Sequence, residues 1–208
     1  MNFTAYTDTH SKLNNPAECS DASFILHAGD FSYFGANWQN DMHILHAAGL
    51  PCYYVLGNHE DGKLSPVEVT ARYPNCEYIG MQVKWIEYGG VSCAICGIDG
   101  SADLSPDNGE DLSFFPALAA LFKPALDVSI RVLLTHYPPA GCFHKPYGSK
   151  VIKKLCRQFS FTRIVCGHDH DRFGIEDGEF QAINPGSIGK CVRFEINAVK
   201  ARHNGSRR

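Results

Sequence analysis

Short apolar runs, each stopped by Gly, Asn, Asp or His, alternate with helical spacings over the first two-thirds of the chain. Residues 2–7 form a short alternating run, and residues 23–28 (SFILHA) an apolar one that stops at Gly29-Asp30. Apolar residues at 42, 45 and 48 predict an amphipathic helix over 38–48, closed by Gly49. A buried strand at 52–56 (CYYVL) runs into Gly57-Asn58-His59. Residues 82–98 read as a hairpin turning at Gly89-Gly90. A helix is expected over 114–126, a strand over 130–135, a helix with a Lys-rich face over 149–159 and a strand over 163–166. A second hairpin follows at 173–176 and 180–183, then a strand at 192–196. Residues 11–22 contain Pro16 and are too few for a full crossover helix, so a loop with one turn is expected there. This order predicts an α/β (α+β) fold, a four-layer αββα sandwich of two mixed β-sheets flanked by helices.

Composition adds limits. The chain has 208 residues, 44% hydrophobic and 20% charged, as in ordinary globular proteins. No linker divides it, so one domain is expected over 1–199, with a flexible basic tail at 200–208. A net charge of -3 argues against a stable nucleic-acid partner. Nine cysteines, an odd number, argue against a disulfide framework. Cys93-x-x-Cys96 lies inside a strand-like run and is expected to pack in the core. The first residues lack the basic and apolar regions of a signal peptide, and no run of 18 apolar residues exists. A cytoplasmic protein without a membrane partner is therefore expected.

The chemistry gathers at the ends of the apolar runs. Asp8-Thr9-His10, Gly29-Asp30, Gly57-Asn58-His59-Glu60, His136 and Gly167-His168-Asp169-His170 each follow one directly. Open α/β sheets collect their active residues at the carboxyl ends of strands. Imidazoles, carboxylates and an amide oxygen suit borderline divalent ions such as Mn, Fe, Zn or Ni. If their loops stay extended, Asp8/His10 and His168/His170 should each point one way, since extended chains have period two. Two metal ions would generate a nucleophile from water and neutralise a phosphoryl group, and a nearby His could protonate a leaving group. Gly57 and Gly167 are expected to let the backbone turn sharply before the ligands.

D-x-H, G-D, G-N-H-[DE], a lone His and G-H-x-H in this order resemble the calcineurin-like metallophosphoesterases, over residues 8–170. An N-P-G-S loop at 184–187 adds to the likeness. Residues 7–11 (TDTHS), 26–31 (LHAGDF), 135–139 (THYPP) and 148–150 (GSK) are similar to small single-domain members, MPPED-like or prokaryotic. The resemblance implies that Asp8, His10 and His170 hold one metal and Asn58, His136 and His168 a second. It implies that Asp30 bridges both, and that the dimetal site lies at the strand ends. A metal-bridging hydroxide would attack in line, His59 would be the non-ligand imidazole assisting the leaving group, and Glu60 would orient its loop. The expected cofactors are two divalent metal ions, with manganese favoured among Mn, Fe, Zn and Ni.

Phe31-Ser32-Tyr33-Phe34-Gly35 departs from the Asp-Arg-Gly segment of phosphoprotein phosphatases, and no capping domain of the larger nuclease members is expected. The expected activity is phosphoric ester hydrolysis, phosphodiesters favoured over phosphomonoesters, on small substrates with nucleotides among the candidates. The alternatives are a metal-dependent nuclease and a non-catalytic, metal-stabilised scaffold. His27 reads as a packed strand residue and the His43/His46 pair as a solvated face. Tyr33, Tyr137 and His144 are candidate substrate contacts, and specificity is expected in the loops 31–37, 61–65, 99–111 and 138–149. A monomer or homodimer is expected.

Overall fold

A computed structural model describes residues 2–14, 22–88, 90–143, 147–186 and 192–195. His144, Ser187, Cys19, Cys191, the tail and most of the 11–22 loop lie outside the described residues. The elements are β1 (Asn2–Tyr6), β2 (Phe24–His27), α1 (Trp38–Ala47), β3 (Cys52–Tyr54), α2 (Pro66–Arg72), β4 (Cys76–Tyr78), β5 (Val83–Tyr88) and β6 (Val91–Ile98). They continue as α3 (Phe114–Phe122), β7 (Ile130–Thr135), α4 (Lys150–Phe159), β8 (Arg163–Val165), β9 (Gly174–Asp177), β10 (Gln181–Asn184) and β11 (Val192–Glu195).

Two mixed sheets result. One runs β11-β1-β2-β3-β4, the other β5-β6-β7-β8-β10-β9. β1 to β4 are mutually parallel, as are β6, β7, β8 and β10, while β11, β5 and β9 add antiparallel edges. Phe3, Leu26 and Val55 of the first sheet meet Ile95, Val132, Leu134 and Val165 of the second in one shared core. Tyr6, Ile25 and Tyr54 point the other way, onto Met42 and Leu45 of α1 and Val69 of α2. Ala94, Leu133 and Ile164 pack outward on α3 and α4. These contacts make the four-layer αββα sandwich. They also explain why the central strands are apolar on both faces instead of alternating.

Local signals account for the helices. α1 buries Trp38, Asp41, Met42 and Leu45, one stripe at helical spacing. α4 starts at Ser149, whose hydroxyl accepts from the Ile152 N–H at 3.1 Å. Two expectations need correcting. The helix expected over 114–126 stops at Phe122 and continues as a 3₁₀ turn over Lys123–Asp127, because Pro124 lacks the N–H an α-helix would use there. Residues 66–78 carried no predicted element, yet form α2 and β4. The α2 signal was present, since Ser65 precedes Pro66 at the first helical position. Cys93 and Cys96 are buried as expected, on opposite faces of β6, so they share neither a bond nor a ligand.

Candidate metal centre

The carboxyl ends of β1, β2 and β3 open on the same side as those of β7 and β8, and the loops there are stitched together. The Asp8 N–H donates to the Gly29 carbonyl at 3.0 Å, His10 N–H to Asp30 at 2.9 Å and Gly167 N–H to His136 at 2.9 Å. Glu60, fully buried, accepts from Asp30 N–H (2.8 Å), Gly57 N–H (2.9 Å), Ser32 N–H (2.8 Å) and Ser32 Oγ (2.5 Å). Both its oxygens are occupied by loop donors, consistent with an orienting role. Asp41 of α1 accepts from Ser11 N–H (3.1 Å) and Leu13 N–H (3.0 Å), and Asp99 accepts from Leu56 N–H (2.8 Å) and the Tyr78 hydroxyl. Sequence patterning carried no sign of these last two supports.

The ligand loops are not extended. Asp8, His10, Asp30 and His168 all have left-handed φ, from 46° to 69°. The condition behind the period-two reasoning therefore fails: Asp8 and His10 gather with His170, while His168 faces Asn58 and His136. Such conformations cost about 1–3 kcal/mol each and persist only when the surroundings enforce them. Gly57 and Gly167 have no positive φ. Their role is close approach: a Cβ on Gly57 would overlap the Asp30 carboxylate, and one on Gly167 would overlap Thr7 Oγ1 and Asp8 Oδ2. Gly167→Ala is accordingly expected to destabilise the protein by about 1–3 kcal/mol, as overpacking does. Thermal melting checks this, and an unchanged melting temperature would remove the steric argument.

The hydrogen bonds around the cluster fix where lone pairs face. A carbonyl can only accept, so His136 Nδ1–H donates to Ala28 at 2.9 Å and His10 Nδ1–H to Ser32 at 3.3 Å. Both Nε2 atoms then carry lone pairs. His136 Nε2 lies 2.8 Å from Asn58 Oδ1, and His168 Nδ1 lies 3.0 Å and 3.2 Å from Asn58 Oδ1 and His136 Nε2. His10 Nε2 lies 3.3 Å from His170 Nε2, which is 3.2 Å from Asp8 Oδ1. In the Asn58, His136 and His168 cluster acceptors face acceptors, an arrangement that a cation between them stabilises, while His170 Nε2–H donates to Asp8 in the metal-free protein. Asp30 joins the two clusters: it groups with His10 and His59 on one side and with Asp8 and His136 on the other. Its Oδ2 is 3.5 Å from His136 Nε2 and 3.8 Å from His59 Nε2, while Oδ1 accepts from the His59 N–H at 2.9 Å.

Electrostatics agree. Burial, then the charge of Asp8, pushes the Asp30 carboxyl up, and burial, then Asp30, pushes Glu60 up. Burial also acts to raise Asp8, but hydrogen bonds, first from His170 and then from Thr7, outweigh it and hold Asp8 well below the usual range. Three buried carboxylates so close together call for positive charge, and the donor set suits a borderline divalent ion. Burial and then His10 lower His59 to about 4. Its Nδ1 is buried without a hydrogen bond, and its ring stacks on Phe34 at 3.9 Å.

All seven candidate ligands and His59 thus converge. The other candidates divide. Tyr33 is exposed beside His59, with ring centroids 6.2 Å apart. Tyr137, expected near substrate, is buried behind the site, its hydroxyl donating to the Gly100 carbonyl at 3.3 Å. His27 is buried and accepts from Gly29 N–H at 3.2 Å, which leaves Nε2–H to donate to Thr9 Oγ1 at 3.0 Å. Asn184 of the N-P-G-S segment donates to the Asp169 and Arg172 carbonyls at 3.0 and 2.7 Å, holding the last ligand loop.

The calcineurin-like phosphoesterase model matches residues 1–172. The chain belongs to this family. Family members hydrolyse phosphoric esters at a dinuclear divalent-metal site, so the chain is a phosphoric ester hydrolase with candidate ligands for that site in place. Solved structures show the same fold at low identity. The protein TT1561 of Thermus thermophilus gives a TM-score of 0.69 at 14% identity, covering 90% of each chain. A dimetal phosphatase from Danio rerio gives 0.62 at 12%, over 91% of this chain and 88% of that one. The phosphopantetheinyl hydrolase of Mycobacterium tuberculosis gives 0.60 at 13%, over 90% and 89%. No curated protein matches the sequence. Among the described residues, no helix is long and apolar enough to cross a membrane.

Proposed function

We propose that the protein is a metal-dependent phosphodiesterase that prefers small diesters, nucleotide esters among them, to monoesters. The observation that carries this reading is the pair of metal-donor clusters with Asp30 between them and His59 at their rim. Asp8, His10 and His170 would hold one metal and Asn58, His136 and His168 the other, with Asp30 serving both. When bound, such ions supply a nucleophile from water at neutral pH and draw charge from the phosphoryl oxygens. Manganese is favoured, since carboxylate and amide oxygens accompany the imidazoles.

The protein's own residues do the rest. Ala28 and Ser32 carbonyls hold the His136 and His10 rings with Nε2 facing inward. Among the described residues His59 Nδ1 makes no hydrogen bond, and Nε2 stands 3.8 Å from Asp30 Oδ2, placed to give a proton to the departing oxygen. Burial keeps it neutral in the free protein, and an arriving phosphate anion favours its protonated form. The preference for diesters rests on charge. Phe31–Gly35 stands where phosphoprotein phosphatases carry a phosphate-gripping Arg, and nearby Arg172 is paired with Asp169 at 2.9 Å. A singly charged diester needs fewer cations than a dianionic monoester.

We place one catalytic domain over 1–199, as a monomer or homodimer. A reducing cytoplasm suits the described cysteines, all of them free. The test is turnover of a chromogenic aryl diester and its monoester with Mn²⁺, against a chelated control. The expected result is turnover abolished by chelation and faster with the diester. Faster monoester turnover reverses the preference, and chelator-resistant turnover removes the metal mechanism.

A further inference from the structure

Asp107 lies in the polar 99–111 loop, far from every recognised motif. Its Oδ2 accepts from His168 Nε2–H at 2.9 Å and from the Tyr147 hydroxyl at 3.0 Å. The opposite nitrogen of the same ring, Nδ1, faces Asn58 Oδ1 and His136 Nε2. We propose that Asp107 is a positioning residue for the second metal, holding His168 as the tautomer whose Nδ1 lone pair points into the cluster. This rests on the dimetal reading above.

A half-exposed carboxylate beside a histidine is common on surfaces, and three features separate this one. A carboxylate can only accept, so Nε2 must carry the proton and Nδ1 must be free to bind a cation. His10 and His136 have their outer nitrogens satisfied by backbone carbonyls, whereas His168 has Asp107 in that place. The carboxylate strengthens His168 as a ligand, because a charged acceptor stabilises charge donated through the ring. Asp107 is also held on both sides. Its N–H donates to Ser105 Oγ at 3.3 Å, and Asp111 N–H to the Asp103 carbonyl at 2.7 Å. Three residues on, Glu110 accepts from Ser149 Oγ (2.8 Å), Lys150 N–H (2.6 Å) and Val151 N–H (2.8 Å), fastening the loop to the first turn of α4. The 99–111 loop therefore reaches from a rigid helix start to a ligand, and Tyr147 closes it from the facing loop.

The test is Mn²⁺ binding by the chelator-stripped full-length protein, followed by calorimetry and electron paramagnetic resonance, in wild type, Asp107→Ala and Asp107→Asn. Wild type should take up two ions. Asp107→Ala should weaken one of them by roughly 10–100-fold, the usual cost of losing such a partner. Asp107→Asn keeps an acceptor oxygen without the charge and should recover part of the loss. In the metal-free proteins, ring ¹⁵N shifts should show His168 as the Nε2–H tautomer in wild type and a mixture in Asp107→Ala. Two ions bound with unchanged affinity in Asp107→Ala would overturn the proposal and leave the dimetal reading standing. Wild type binding fewer than two ions would overturn both. An unchanged His168 tautomer together with equal weakening of both ions would show a merely structural role and also overturn it.

Discussion

Asp30→Asn is expected to lose both metals and to lower turnover by more than about 100-fold, beyond what removal of a supporting partner costs. The substitution keeps shape and removes charge. Asp30 lies between the two donor clusters, grouped with His10 on one side and with His136 on the other. Burial and Asp8 already push its carboxyl toward neutrality in the metal-free protein. An amide there removes an unfavourable buried charge, so the metal-free variant should melt no lower than metal-free wild type. Elemental analysis and a melt decide the matter together. Full occupancy of two metals would take the bridging role away from Asp30, and a lower metal-free melting temperature would point to lost folding instead.

His59→Ala should behave in the opposite way, keeping both metals while the maximal rate falls by roughly 10²–10⁴-fold, as loss of a general acid does. The loss should grow along a series of esters with increasingly poor leaving groups, because those need the proton most. The geometry sharpens the test. His59 also falls within ligand reach of His10 and Asp30. If it were a ligand, the variant would lose metal as well as rate. Its stack on Phe34 and the Lys63 ammonium 4.9 Å from that ring hold it at the rim. A variant as fast as wild type on every ester would remove His59 from the reaction.

The strands, the ends they present and the donors at those ends were legible because they are local: an apolar run followed at once by Asp, Asn or His. The long hairpin of β5 and β6 and the α4 helix were equally plain. α2 was passed over although Ser65-Pro66 announced it, since its seven residues bury only Val69 and show little periodicity. The supports were illegible for a different reason. Asp41, Asp99, Asp107 and Glu110 act across 21 to 61 residues of sequence, and an acid in a polar loop reads as solvated until the fold supplies its partner. Left-handed φ at Asp8, His10, Asp30 and His168 was equally hidden, because glycine is the residue that advertises it.

The two donor clusters do not divide by sheet. Asp8, His10, Asp30 and Asn58 follow strands of the first sheet, and His136, His168 and His170 follow strands of the second. Each cluster draws on both. A bound ion is then a rivet across the mouth of the sandwich, fastening two layers that meet below it through greasy side chains. Loading the site should stiffen the protein as a whole, and the resistance of its shared core to heat and to solvent exchange should rise with metal concentration, by the same mass action that fills the site.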